Sequence, residues 1–136
     1  YIERELDDVA LSILSARKAY YRNVDTWWAT YPPNYKDIKH RKFSEQIAGQ
    51  VLGLKRTYEE LINKLDSRLV FRLKYSELCD NPSSVISSIQ EKVFSVHKFE
   101  ISTRNTPPKR FDERKKIAKN KDEQDVLDAI QKQSFE

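Results

Sequence analysis

The clearest alternation of apolar and polar positions in the chain runs over residues 68–75. Its apolar positions are Leu69, Phe71, Leu73 and Tyr75. A period of two is typical of a β-strand with one buried face, and the polar cluster that follows is typical of a turn. We predict a central strand here, in a sheet that helices cover. Ligands collect outside the carboxyl ends of strands in open α/β sheets, so Tyr75 and the 76–81 turn are the expected location of a site.

Four stretches repeat apolar residues at steps of three and four, which predicts helices with one buried face. They run over about 8–21, 44–65, 82–94 and 122–132. The first carries the stripe Val9, Ile13, Ala16 and Tyr20. The longest carries the seam Ile47, Val51, Leu54, Tyr58, Leu61 and Leu65. We expect this seam to pack on the sheet. In a second interpretation it binds a partner helix, and the chain is a noncatalytic helical interaction module.

Local signals mark the ends of several elements. Residues 1–4 are compatible with a short strand, a remnant beside the central one. Asn81 is a good N-cap and Pro82 a good first residue of the third helix. Gly49 and Gly53 fall inside the longest helical pattern, where they either allow close packing against a neighbour or flank a ligand.

Composition narrows the class of protein. With 136 residues, 38% of them hydrophobic, the chain can build a single domain over 1–136. Its 25 basic and 21 acidic residues leave a net charge of +4, which is too balanced to indicate nucleic acid by itself. The single cysteine, Cys79, excludes an intrachain disulfide and a thiolate zinc cluster, and it suits a reducing, cytoplasmic location. We expect no metal site and no transmembrane segment.

Two absences bear on nucleotide chemistry. The chain opens on Tyr1 without a methionine, so we expect the sequence to begin inside a domain. Its only two glycines lie in a helical pattern, and no glycine-rich phosphate loop can be built from them.

Arg4 and Ser12 are the strongest candidates for a binding site. An arginine at a strand end, followed by a helix that offers a hydroxyl and free backbone N–H groups, makes a sound receptor for a phosphate. The alternative is a surface arginine and a helix serine that bind no ligand. Spacing by itself does not separate these two interpretations.

The segment Arg4–Ser12 resembles the sulfotransferase segment in which an arginine at a strand end is followed eight positions later by a serine. The segment Leu73–Pro82 is similar to the next strand of that family, with its tyrosine, acidic residue, leucine and Asn-Pro. Between them, Trp27, Tyr31 and the helix containing Gln50 resemble the substrate-side segment of bacterial and carbohydrate-type members. The resemblance covers about residues 1–94.

The resemblance implies that Arg4 and Ser12 hold the 3'-phosphate of 3'-phosphoadenosine 5'-phosphosulfate and that Tyr75 lies near the adenine. In the family a late basic loop closes over the same phosphate. Candidates for that loop here are Arg104, Lys109, Arg110 and Arg114. Two departures stand out: Glu5-Leu6 replaces the usual Asp-Pro, and the usual Arg-Lys-Gly pattern of the loop is absent.

The family's first strand, its 5'-phosphosulfate loop and its usual catalytic base are not found in this sequence, so no catalytic residue is assigned. We therefore expect the C-terminal portion of a sulfotransferase domain, inactive by itself. Its fold would be a predominantly helical fragment of a three-layer α/β/α, P-loop-like nucleotide-binding fold. The implied reaction transfers a sulfuryl group from 3'-phosphoadenosine 5'-phosphosulfate to a hydroxyl acceptor, with carbohydrate as one candidate and adenosine 3',5'-bisphosphate as product.

Other residues allow more than one role. Trp27, Trp28, Tyr31 and Tyr35 form either an acceptor-binding wall or a hydrophobic plug over the sheet edge. The basic run at 109–116, with Phe111, makes a weak nucleic-acid binder a third interpretation, although we expect no nucleic-acid partner. Cys79 lacks the spaced histidine or lysine of a nucleophile and is expected to be a passive thiol.

Overall fold

The computed structural model describes residues 1–113 and 115–134. Arg114, a candidate for the late basic loop, lies outside the described residues. The elements in chain order are β1 (Ile2–Glu3), α1 (Leu6–Tyr21), α2 (Tyr35–Ile38), α3 (Phe43–Asn63), β2 (Leu73–Lys74), α4 (Tyr75–Asp80), α5 (Pro82–His97) and α6 (Lys121–Ser134). The chain is mostly helical with a small parallel sheet, which is compatible with the predicted α/β class.

The described residues fall into two compact units. The first contains residues 1–4 and 62–113, and the second contains residues 5–61 and 115–134. None of the helices in the described part of the chain is long and apolar enough to cross a lipid bilayer.

The sheet belongs to the first unit. β1 and β2 pair in parallel, with Ile2 opposite Leu73 and Glu3 opposite Lys74. The Leu73 N–H donates to the carbonyl of Tyr1 over 3.0 Å, and the Leu73 side chain is buried. The strand remnant predicted at 1–4 therefore pairs with part of the strand predicted at 68–75.

The observed strand β2 is much shorter than the central strand predicted over residues 68–75. Residues Ser67–Leu69 form a 3-10 turn, because the Asp66 carboxylate accepts from the Arg68 N–H and pairs with its guanidinium. Leu69 is consequently 62% exposed. At the other end Tyr75 begins α4, and the Glu77 carboxylate caps that helix by accepting from the Lys74 N–H over 3.2 Å. The alternation of apolar residues therefore extends beyond the strand at both ends.

The predicted start of α5 is confirmed. The Asn81 side chain accepts from the Ser84 N–H over 3.1 Å, and Pro82 is the first residue of the helix. Pro82 and Val85 are buried, which fixes the first turn of α5 in the unit. Residues 98–113 are irregular and mostly exposed.

The second unit has a helical core. Buried apolar side chains from three helices, α1, α3 and α6, pack together in it. They are Ala10, Leu14, Ile47, Ala48, Val51, Val126, Ala129 and Ile130. The prediction that the α3 seam packs on a sheet is wrong for Ile47 and Val51, which lie in this helical core. Further along the seam, Tyr58 and Leu61 are exposed.

The buried face of α1 lies one position away from the predicted stripe. The residues that it buries are Asp8, Ala10, Leu11, Leu14 and Arg17. Tyr20, which ends the predicted stripe, is 69% exposed. The predicted stripe covers only part of the inward face: Val9 and Ile13 are half-buried and pack against the core, whereas the fully buried positions include a carboxylate and a guanidinium that an apolar pattern leaves out.

Gly49 and Gly53 are positions of close packing. A Cβ at Gly49 would lie 3.1 Å from two carbons of Ile38, and one at Gly53 would lie 2.5 Å from Asn34 Oδ1 and 3.1 Å from Pro32 Cβ. The segment before α3 thus approaches the helix backbone closely. Of the two predicted roles for these glycines, close packing against a neighbour is the one that these distances support.

Candidate functional site

Arg4 and Tyr75 lie side by side at the carboxyl edge of the two strands. Arg4 follows β1 directly and Tyr75 follows β2 directly, and Glu3 and Lys74 just before them are register partners. The Arg4 guanidinium carbon lies 4.5 Å from the centroid of the Tyr75 ring. This distance is that of a cation–π contact. Two of the sequence-predicted site residues are therefore brought together, in the place where parallel strands present ligand-binding groups.

Arg4 keeps hydrogen-bonding capacity after this contact. Its Nε is buried and makes no hydrogen bond to any described residue. Stacking uses the face of a guanidinium and leaves the in-plane N–H groups for an acceptor. Because a buried donor without a partner costs about 1–3 kcal/mol, the geometry fits a residue that binds a charged acceptor such as a phosphate.

The pKa of the Tyr75 phenol is shifted by its neighbours. Interaction with the side chain of Cys79, which is buried one helical turn further on, raises the pKa of Tyr75. The Arg4 charge acts in the opposite direction and the nearby Glu113 carboxylate raises the pKa further. Tyr75 is therefore a neutral phenol at physiological pH.

The late basic segment contacts α4 through the backbone. The Phe111 N–H donates to the carbonyl of Cys79 over 2.8 Å, and Arg110 forms an ion pair of 3.2 Å with Asp80. Both Arg110 and Asp80 are exposed. Arg110 is thus held near α4, although its guanidinium already has a carboxylate partner. Arg104 lies exposed in the irregular segment after α5.

Ser12 belongs to the second unit. It lies in the second turn of α1, half-buried, and its hydroxyl donates to the Asp8 carbonyl over 2.7 Å. A hydroxyl in this bond still has lone pairs to accept with, and it has to give up the bond before it can donate to a phosphate. The structure therefore describes Ser12 as a helix residue whose donor is in use.

Sequence reasoning missed a set of buried polar side chains in the second unit. Arg17 is completely buried; its Nη1 donates to the carbonyl of Val24 and to Gln46 Oε1, each over 3.0 Å. Burial lowers the pKa of Arg17, and Asp25 partly counteracts this. Gln50 is also fully buried, and its Nε2 donates to the carbonyls of Trp28 and Thr30. The spacing of Arg17 from Ala10 and Leu14 was the available signal, because all three lie on one helical face.

These polar side chains anchor an aromatic segment. Trp27 contacts Tyr31 and Tyr35 with ring centroids 5.7 and 4.7 Å apart, and Trp28 stacks on Tyr20 at 4.4 Å. The aromatic residues predicted as a wall or a plug therefore form ordered ring clusters.

No metal site accompanies these features: within the described residues no three His, Cys, Asp or Glu side chains cluster as ligands would. Comparison of the chain with protein-family models, with curated proteins and with solved structures gave no match. A function therefore has to be inferred from the side chains described above.

Proposed function

We propose that this chain is the nucleotide-binding portion of a sulfotransferase that uses 3'-phosphoadenosine 5'-phosphosulfate. The observation that carries the proposal is the contact of Arg4 with Tyr75 at the carboxyl edge of the parallel strands. These are two of the residues that the resemblance to the sulfotransferase family assigns to the nucleotide. Parallel pairing of β1 with β2 also supports the finer fold proposal, a fragment of a three-layer α/β/α, P-loop-like fold, since parallel strands occur almost only in sheets covered by helices.

In this proposal Arg4 binds the 3'-phosphate. Its guanidinium is fixed by the Tyr75 ring, and its buried Nε lacks a partner among the described residues, so it can donate to a phosphate oxygen without first breaking a protein hydrogen bond. A forked, charge-assisted pair of donors is the usual arrangement for a phosphate. The resemblance also assigns Ser12 to this phosphate; that assignment stays a prediction, and it requires the Ser12 hydroxyl to give up its bond to Asp8.

Tyr75 provides the adenine side of the proposed site. One face of its ring is occupied by Arg4, and an aromatic edge or second face suits a purine. We propose that Arg110 closes over the phosphate, and this requires it to leave its ion pair with the exposed Asp80 carboxylate and bind a phosphate oxygen instead. Arg104 is a second basic candidate in the same segment.

The proposed reaction breaks the bond between sulfur and the bridging oxygen of the phosphosulfate and forms a bond from sulfur to the acceptor hydroxyl oxygen. The hydroxyl proton leaves, and adenosine 3',5'-bisphosphate is released. Such transfers depend on positioning and on stabilisation of charge on the transferring group. The residues named here would contribute by holding the nucleotide. We assign no catalytic base, and we expect this chain alone to bind the nucleotide product without turnover.

Calorimetry with adenosine 3',5'-bisphosphate on the full-length protein tests the proposal. We expect Arg4→Ala to weaken binding about tenfold or more, a loss of about 1.4 kcal/mol or more. Arg72→Ala is the matched control: this guanidinium also lies over a tyrosine ring, that of Tyr1 at 5.9 Å, but it precedes β2 and so lies at the opposite edge. Adenosine 5'-monophosphate, which lacks the 3'-phosphate, should lose little affinity on Arg4→Ala. Equal binding of the bisphosphate by wild type and Arg4→Ala would remove Arg4 from the site.

One observation favours the alternative of a noncatalytic helical interaction module. The second half of the α3 seam is exposed, with Tyr58 at 46% and Leu61 at 53%. If the seam binds a second copy of the chain, Leu61→Asp should abolish association in sedimentation velocity and leave the circular dichroism spectrum unchanged. A monomeric wild-type protein would dismiss self-association through this face.

A further inference from the structure

Arg17 on α1 is a completely buried cation that uses only part of its hydrogen-bonding capacity. Its Nη1 donates to the carbonyl of Val24 and to Gln46 Oε1, each over 3.0 Å, and both acceptors are uncharged groups. Its Nε and Nη2 are buried and make no hydrogen bond within the part of the chain that the structure describes. A guanidinium stays protonated in a protein, so these two nitrogens are buried donors that share a positive charge.

The two unpartnered nitrogens form one edge of the guanidinium. Nε and Nη2 lie on the same side of the group, and their N–H bonds make the fork that meets two oxygens of one planar anion. Both protein hydrogen bonds of Arg17 come from Nη1, the nitrogen outside this edge. The protein therefore positions Arg17 through one nitrogen and leaves its bidentate edge for a ligand.

A third buried donor belongs to a side chain in contact with Arg17. The Arg17 guanidinium carbon lies 5.2 Å from the centroid of the Trp27 ring, and Trp27 Nε1 is also buried without a hydrogen-bond partner among the described residues. Each buried donor costs about 1–3 kcal/mol when nothing accepts from it. A ligand that accepts from these groups removes that cost.

The charge around Arg17 favours an anion with a single negative charge. Burial lowers the pKa of Arg17, and the exposed Asp25 counteracts only part of this effect, so the buried cation is incompletely compensated. A water molecule accepts a hydrogen bond but brings no charge. A dianion leaves excess negative charge in a buried place near Asp25.

Burial and access restrict the size of the ligand. Val24 and Trp27, which contact Arg17, both lie in the irregular segment between α1 and α2. A local opening of this segment can admit an ion without separating the core helices. Because all three donors are buried, the ion has to be small.

We infer that the Nε and Nη2 edge of Arg17 binds a small planar oxyanion with one negative charge, such as formate, bicarbonate or nitrate. Two oxygens of the ion accept from Nε and Nη2, and Trp27 Nε1 donates to the same ion. The bound ion compensates the buried charge and joins α1 to the segment that follows it. This inference goes beyond the proposed function and does not depend on it, since it requires neither nucleotide nor sulfuryl transfer.

Nitrogen-15 NMR of the Arg17 Nε–H group tests the inference in the full-length protein without nucleotide. Through-bond correlation to the Arg17 side-chain carbons assigns the resonance. Sodium formate, bicarbonate and nitrate are titrated separately at constant pH, with sodium sulfate keeping the ionic strength constant. We expect at least one of the three ions to shift the resonance saturably, with a Kd of about 1–10 mM. Sodium chloride, titrated in the same way, should give no saturable shift.

Two substitutions and one matched control test the individual contacts. Trp27→Phe keeps an aromatic ring and removes the indole donor, so it should weaken binding about tenfold. Trp28→Phe is the control and should bind as wild type does, because the Trp28 indole is not among the buried donors without a partner. Asp25→Asn removes a negative charge near the proposed ion and should tighten binding. Circular dichroism confirms that each variant is folded, and the wild-type titration does not depend on any of them.

Several outcomes overturn the inference. They are the absence of a saturable shift with all three ions up to about 100 mM, the same shift with chloride, equal weakening by Trp27→Phe and Trp28→Phe, and weaker binding by Asp25→Asn. The titration with adenosine 3',5'-bisphosphate is a separate readout. Failure of the oxyanion to bind therefore leaves the proposed function standing, and the reverse also holds.

Discussion

Arg17 on α1 and Gln46 on α3 form a hydrogen bond of 3.0 Å with both side chains buried. Gln46 also donates through Nε2 to the carbonyls of Lys39 and Arg41, so one amide links α1, α3 and the loop after α2. The Arg17 guanidinium is a buried cation whose Nε and Nη2 make no hydrogen bond to the described residues. Loss of one of its remaining hydrogen bonds should therefore cost more stability than loss of a hydrogen bond to an uncharged buried amide.

Gln46→Leu should destabilise the protein by about 3 kcal/mol. The substitution removes an acceptor from a buried charge and leaves two backbone carbonyls without their donor. Urea unfolding followed by circular dichroism measures the change. The matched control is Gln124→Leu on α6, where the side chain of an exposed glutamine donates to Asp128, and it should change stability by less than about 0.5 kcal/mol. Equal effects of the two substitutions would contradict this account of Arg17.

Gly53→Ala should be less stable than Gly49→Ala by about 1 kcal/mol. Each alanine gains about 1 kcal/mol of helix propensity. At Gly53 the new methyl group meets Asn34 Oδ1 at 2.5 Å and the rigid Pro32 ring, whereas at Gly49 it meets carbons of Ile38 at 3.1 Å. Thermal unfolding of the two single variants gives the comparison. A more stable Gly53→Ala would show that residues 32–34 move aside at little cost.

Asn81→Ala should destabilise the protein by about 1 kcal/mol. Its side chain accepts from the Ser84 N–H at the start of α5, and alanine leaves that donor without a side-chain acceptor. Asn81→Asp retains an acceptor and should remain close to wild type in urea unfolding. If Asn81→Ala and Asn81→Asp lose the same stability, the capping bond is not the cause.

The pair of Asp66 and Arg68 predicts a dependence of stability on pH. The hydrogen bonds from Arg68 lower the pKa of the Asp66 carboxyl below its ordinary value of about 3.9. A lowered pKa in the folded state contributes stability that is present above the unfolded pKa and lost as the pH falls through the folded one. The difference in stability between wild type and Asp66→Asn should therefore be present at about pH 6 and shrink below about pH 4. A difference that is constant with pH would contradict this prediction.

Tyr75 should titrate above an ordinary tyrosine. Interaction with the Cys79 side chain raises the pKa and the Arg4 charge lowers it, so Cys79→Ala should lower the pKa of Tyr75 and Arg4→Ala should raise it further. Protonation of Tyr75 contributes stability below the unfolded pKa of about 10, which is lost as the pH rises through the folded pKa. Carbon-13 NMR of labelled tyrosine rings measures each pKa, with Arg72→Ala as the control that should leave Tyr75 unchanged.

The four long helices, α1, α3, α5 and α6, could be predicted from sequence to within about three residues at each end, whereas α2 was not predicted and α4 occupies the stretch predicted as a turn. The apolar spacing of the four long helices and the Asn81-Pro82 start are local signals, and local chemistry decides them. The length of the central strand, in contrast, could not be predicted from the apolar pattern. Residues 68–75 alternate throughout, yet the Asp66 turn and the Glu77 cap confine pairing to Leu73 and Lys74. The inward face of α1 was predicted only in part, because a buried arginine such as Arg17 is indistinguishable, in sequence, from an exposed one.

The pairing of Arg4 with Tyr75 follows from the sequence once both are recognised as residues that end parallel strands. The partner of Arg110 did not follow, since residues 98–113 have no apolar periodicity and are held by bonds to residues distant in sequence, such as that from the Phe111 N–H to the carbonyl of Cys79. The roles of Gln46 and Gln50 were equally hard to predict, because both side chains donate to backbone carbonyls of loops and Gln46 accepts from the buried Arg17 side chain.

The two strands of the sheet have a consequence for the order of folding. Ile2 and Leu73 are neighbours in space, yet some seventy positions of chain separate them, so the search for this pairing is slow compared with the formation of a helical turn. Helices α1, α3 and α6 can associate before it occurs. The contact of Arg4 with Tyr75 is therefore expected to appear among the last events of refolding, and a stopped-flow experiment should find it later than the burial of Leu14.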